Sequence, residues 1–230
     1  MENRKGSGIF LGVVGVATLV VAIIGATFAY FSATATAEGN ITGSTLDTSG
    51  ASMSVTATKE TFEGATANNN LVPTNITSET YGLALTNKCE ATPGTGTAKY
   101  TGCHVYTIAT ENTTAGNYTL TVDLSVDAQV KTDWSYIVYT STAFNAAGTV
   151  VTSGTFGTGN TTTVTIDNGT TALAAETEKT YYLMIYLADD NDVQNATDGD
   201  KASNSATGTY TGTVTFAALG GGQVKATFTA

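Results

Sequence analysis

The chain has 230 residues, 25 Gly, 2 Pro, 2 Cys and 1 His, with 12% charged residues and a formal net charge of −10. Nine Lys+Arg against 19 Asp+Glu exclude a phosphate-backbone binder, which needs a clustered basic surface. Two cysteines build neither a disulfide framework nor a four-thiolate zinc site, and one imidazole, His104, leaves little general-base chemistry. The composition predicts no enzyme. With 41% hydrophobic residues there is nevertheless ample apolar surface to bury.

Residues 1–7 carry Arg4 and Lys5, and an uncharged apolar run follows from Gly8 to Phe31. Such a run is a secretory signal or a membrane span. Thr27-Phe28-Ala29 supplies a small-x-small pattern before Tyr30, so cleavage after Ala29 is the first expectation. Cuts after Ala35 or Ala37, an uncut anchor helix, or a prepilin-type cut near Gly8 are the alternatives. Removing residues 1–29 takes away Glu2, Arg4 and Lys5, leaving a mature chain near −11 without Arg.

Beyond the leader the sequence reads as strands. Asn117–Val126 alternates strictly, with Tyr118, Leu120, Val122, Leu124 and Val126 on one face and Thr119, Thr121, Asp123 and Ser125 on the other. That is the period of a half-buried strand. The same pattern marks 52–58, 81–86, 103–109, 134–141, 149–155, 161–167, 180–187, 207–217 and 223–229, with Gly, Asn, Asp and Ser between them. Closely spaced strands of this kind predict an all-β sandwich. Thr and Val recur because branched Cβ atoms suit a pleated surface. Only Asn168–Lys179 invites a short helical turn. No stretch is long or Pro-rich enough for an interdomain linker, so the division is leader 1–29, N-terminal segment 30–50 and one domain 51–230.

Cys89 and Cys103 flank a turn-rich connection containing Pro93-Gly94, and export to an oxidising exterior predicts a disulfide between them. A Cys103/His104 catalytic couple is disfavoured, because neighbours on a strand point to opposite faces. The segment Ala188–Lys201 gathers Asp189, Asp190, Asp192, Asp198 and Asp200. These are oxygen ligands suited to Ca²⁺, yet the spacing departs from the EF-hand loop, and a solvated acidic loop is the simpler reading. Apart from this Ca²⁺ candidate, no cofactor is expected. Trp134 and the tyrosines Tyr118, Tyr136, Tyr139, Tyr181, Tyr182 and Tyr210 sit inside alternating segments, which favours core over a carbohydrate-stacking surface. The Asn-x-Thr triplets at Asn112 and Asn168 reflect a Thr-rich composition.

The run Gly25-Ala26-Thr27-Phe28-Ala29-Tyr30-Phe31-Ser32, followed by Ile41-Thr42-Gly43-Ser44-Thr45-Leu46-Asp47, resembles the N-terminus of the TasA/camelysin family. Members share a G-x-T-[FW]-A-x-F-[SND] junction and a short first strand ending in an S/T-G-x-L-D-like segment. Gly43-Ser44-Thr45-Leu46 has one residue more than the usual G-T-L spacing. The segment from Thr180 to Phe216 is also similar to the last strands of small Gram-positive surface proteins with this leader. The resemblance implies secretion through a dedicated signal peptidase, a jelly-roll-like β-sandwich, and assembly into extracellular biofilm-matrix fibres. It also implies that the segment from Tyr30 and Phe31 through Ile41 and Leu46 is a donor strand that pairs with the next subunit, making a homopolymer. The metallopeptidase activity associated with camelysins is not implied, because His104 stands without a zinc-ligand cluster. Nucleic acid is not an expected partner, and the membrane is met only through the leader. A membrane-anchored adhesin, or a pilin-like filament subunit that keeps its helix, is the competing class.

Overall fold

A computed structural model describes residues 40–46, 52–64, 68–91, 99–126, 134–156, 161–189 and 210–230. The expected leader, residues 1–29, lies outside them.

Two antiparallel sheets carry the fold. The first has six strands in the order β1-β2-β6-β11-β8-β9. They are β1 (Asn40–Leu46), β2 (Ser52–Lys59), β6 (His104–Asn112), β11 (Thr177–Leu187), β8 (Trp134–Thr140) and β9 (Thr149–Thr155). The second has four in the order β10-β7-β12-β13. They are β10 (Thr161–Leu173), β7 (Gly116–Val126), β12 (Tyr210–Ala218) and β13 (Gln223–Thr229). A small third sheet joins β3 (Asn68–Leu71), β5 (Tyr100–Thr101) and β4 (Glu90–Ala91).

The alternation seen in the sequence places the core. Val55, Tyr106, Ile108, Leu183 and Ile185 of the six-stranded sheet share one buried cluster with Leu120, Val122, Leu124, Val164, Val214 and Phe228 of the four-stranded sheet. This packing of sheet on sheet makes a β-sandwich. Trp134, 1% exposed, lies in that core against Tyr210, their ring centroids 5.1 Å apart. The tyrosines named above are buried as well, Tyr136 partly, which settles them as packing groups.

The opposite face of the six-stranded sheet is also covered over its central strands. Val105, Ile137, Tyr139, Tyr182, Met184 and Tyr186 form a second cluster with Tyr81, Leu85, Cys89 and Cys103. Adjacent residues of β11 therefore serve two cores in turn, and its run TYYLMIYL is apolar throughout because both its faces are buried.

Two local expectations fail. Tyr81–Thr86 is a helix, α1, with Tyr81 and Leu85 buried and Leu83 66% exposed. Tyr81, Leu83 and Leu85 alternate like a strand, but only a helix puts positions i and i+4 on one face and frees i+2. Asn168–Lys179 holds no helical turn: β10 runs on to Leu173, and a reversal with Glu176 at φ 55° leads into β11. Pairing of Ala172 with Asn117 and of Leu173 with Gly116 overrides the helical propensity of the alanines.

At Gly212 the need for glycine is steric. It lies opposite Phe228, whose ring occupies the space a Cβ would take. Phe228 thereby covers the glycine backbone and stacks on Tyr106, centroids 4.1 Å apart.

Candidate functional site

Of the residues expected to act at the N-terminus, Thr27, Ala29, Tyr30 and Phe31 lie outside the described part of the chain. Ile41 and Leu46 lie in β1, which is paired within its own chain: Ile41 faces Ala57 and Leu46 faces Ser52 across an antiparallel ladder. In the single chain the expected donor strand is thus the first strand of its own six-stranded sheet.

The hydrogen-bond alternation decides which backbone groups β1 keeps for itself. The Thr113 N–H donates to the Ser52 carbonyl at 3.0 Å and the Glu60 N–H to the Val105 carbonyl at 2.8 Å. Even-numbered residues of β2 therefore bond toward β6, and Met53, Val55 and Ala57 bond toward β1. Their partners are Thr45, Gly43 and Ile41. Asn40, Thr42, Ser44 and Leu46 consequently turn their N–H and C=O groups away from the sheet.

At the far end, β9 is the other edge of the same sheet. The Phe156 N–H donates to the Trp134 carbonyl at 2.9 Å, so Gly154 and Thr152 bond to β8 while Ser153 and Thr155 face outward. Side chains along β9 are exposed or half-buried throughout, and the ladder shifts once, at Val151.

The four-stranded sheet treats its edges differently. β10 breaks register twice and carries Asp167, which pairs with Lys179 at 3.3 Å. On β13, the Ala230 N–H bonds to the Tyr210 carbonyl at 3.0 Å, which by alternation turns Gln223, Lys225, Thr227 and Thr229 outward. One of those outward groups, the Thr229 carbonyl, accepts a hydrogen bond from the Tyr106 hydroxyl at 2.9 Å.

That bond fixes a buried chain of protons. Because Tyr106 donates to Thr229, the Tyr210 hydroxyl must donate to Tyr106, at 2.7 Å, and His104 Nδ1, 2.7 Å from Tyr210, must carry a proton and donate to it. Burial pushes the Tyr106 hydroxyl up to about 12, with the bond from Tyr210 opposing, and burial drives Tyr210 well above its ordinary range. The network ties β6 to β12 and β13 across the sandwich. Beside it opens a cleft of about 370 Å³ lined by Ala57, Lys59, Tyr106, Thr227 and Phe228. Burial lowers the Lys59 ammonium.

Cys89 and Cys103 form a disulfide, their Cα atoms 5.1 Å apart and both residues buried. The bond clips α1 and its flanking turn onto the outer face of the six-stranded sheet. It also occupies the Cys103 sulfur, which removes the thiol a Cys103/His104 couple would need. Asp189 lies just beyond β11, its N–H bonded to the Thr74 carbonyl at 3.0 Å, whereas Asp190, Asp192, Asp198 and Asp200 lie outside the described residues. Among the described residues no three of His, Cys, Asp or Glu converge on a point where a metal could sit. Asn112 is fully buried, its side-chain amide donating to the Thr114 and Ala174 carbonyls, which removes it as a glycan acceptor.

No protein-family model, curated protein or solved structure matches this chain. Ser153 and Thr155 belong to no motif in the sequence. Their strand was legible, but its place at a sheet edge is a long-range fact that no local pattern encodes.

Proposed function

We propose that this chain is a secreted structural subunit of extracellular or biofilm-matrix fibres, a jelly-roll-like β-sandwich that polymerises through its N-terminal strand. The observation that carries the reading is the position of β1, the expected donor segment, at the rim of its sheet with alternate backbone groups turned outward. Backbone hydrogen bonding across such an edge joins subunits without a side-chain pocket. A head-to-tail contact of this kind does not close on itself, so it propagates. The apolar leader and the buried disulfide suit an exported protein.

N-terminal sequencing and electron microscopy of the exported protein test this. A mature N-terminus at Tyr30 together with filaments is the expected result. An intact leader on a persistently monomeric protein would instead establish the anchored-adhesin reading, and an N-terminus at Ile9 the pilin-like one. Because each mature subunit carries about −11, self-repulsion slows assembly at low salt. Equal rates in low and moderate salt would contradict that.

A further inference from the structure

We infer that the junction between subunits is an edge-to-edge pairing of β1 in one copy with β9 in the next, extending the six-stranded sheet as a single antiparallel ribbon. This rests on the fibre reading, names the acceptor, and replaces the expected exchange of a donor strand with the pairing of two intact edges.

Three features converge. The first is parity. Every neighbouring pair in the order β1-β2-β6-β11-β8-β9 is antiparallel, so with six strands β1 and β9 run in opposite directions. A second copy placed in the same orientation beyond β9 therefore presents its β1 antiparallel, and the pattern continues unbroken. The second is charge. β1 and β9 are each seven residues long, and neither NITGSTL nor TVVTSGT contains a charged residue or a proline. In a chain of net charge −10 these are edges at which like-charged copies can meet without facing charges. The third is the contrast with the other two edges. β10 is bulged twice, against a single shift on β9 at Val151, outside the Ser153–Thr155 stretch, and β13 carries Lys225 on its outward row with its Thr229 carbonyl already engaged by Tyr106. Bulges and lysines are devices that block edge pairing.

No strand has to leave its own sheet. Ile41, Gly43 and Thr45 stay bonded to β2 while Thr42 and Ser44 reach the outward groups of Ser153 and Thr155 on the neighbour. Donor-strand exchange would instead peel β1 from β2.

Proline tests this without disturbing either ladder, because the N–H groups of Thr42 and Ser153 face outward. Ser153→Pro and Thr42→Pro, each in the exported protein, should melt like the wild type yet form no filaments, whereas Lys225→Pro on β13 should polymerise normally. Ser153→Lys, which leaves the backbone intact and adds a charge, should also stop growth. An equimolar mixture of Ser153→Pro and Thr42→Pro should yield 1:1 dimers in analytical ultracentrifugation, since each partner retains one working edge. Filaments from Ser153→Pro and Ser153→Lys at the wild-type rate would overturn the β1–β9 junction while leaving the fibre reading standing. Wild-type protein that never polymerises would overturn both.

Discussion

The two sheets of the sandwich divide exposure in opposite ways. The central strands of the six-stranded sheet, β11 and β8, are buried on both faces, by the facing sheet on one side and by α1, the disulfide and an aromatic layer on the other, while its edges β1 and β9 carry no charged residue and a single bulge, at Val151. The four-stranded sheet leaves its Thr-rich outer face to water, and its edges carry bulges, Asp167 and Lys225. Guarding one sheet and not the other is informative, because an open edge is an aggregation hazard that most soluble proteins suppress. Here the two open edges belong to one sheet, run in opposite directions and match in length.

That contrast can be broken from either side. The largest expected effect on stability comes from Phe228→Ala, which removes the ring packed on Gly212 and Tyr106 and should cost about 3–5 kcal/mol in urea unfolding. Replacing Cys89 and Cys103 by Ser should cost roughly 3 kcal/mol for a loop of this size. Only the disulfide replacement should also loosen α1, read as faster amide exchange in Tyr81–Thr86. A comparable loss is expected in alkali. Tyr106 keeps its proton to about 12 when folded but only to its ordinary value of 10.0 when unfolded. The folded state therefore binds more protons between those values, so its stability is intact below pH 10 and falls as pH rises toward 12, by roughly 3 kcal/mol. Flat stability over that window, measured by urea midpoints, would contradict the burial of the network. Tyr106→Phe, which deprives the Thr229 carbonyl and Tyr210 of a partner, should cost about 1–3 kcal/mol and shrink the alkaline loss. The smallest effect belongs to the part-exposed Lys179–Asp167 pair, where Lys179→Met should change stability by less than about 1 kcal/mol. Millimolar Ca²⁺ should raise the melting temperature only if the segment beyond Asp189 holds a cation; an unchanged melt with Ca²⁺ and with chelator would make it a solvated loop.

Most of the strands were legible because their side chains alternate. Thr149–Thr155 and Gln223–Thr229 begin and end where the pattern does, and Tyr118, Leu120, Val122, Leu124 and Val126 are buried as their spacing implies. What misled was a short segment whose alternation fits two structures. In Tyr81–Thr86 the exposed Leu83 distinguishes helix from strand, and exposure is not written in six residues. A hint did exist in Thr77, whose hydroxyl accepts from the Thr80 and Glu79 N–H groups in the turn before the helix. The disulfide was legible because two cysteines admit one pairing. The candidate junction was half legible: Ile41 and Leu46 stood out through their resemblance to a known N-terminus, whereas Ser153 gains meaning only from a strand order that brings Thr149–Thr155 to the rim of a sheet begun at residue 40.

Electron microscopy of filaments grown from the exported protein decides between paired intact edges and an exchanged strand. A ribbon that continues the six-stranded sheet from copy to copy should advance roughly 29 Å per subunit, six strands at ~4.8 Å each, with β1 beside β9 at every junction. Filaments in which β1 has left its own β2 for a neighbour's sheet, or in which β9 faces solvent, would contradict it.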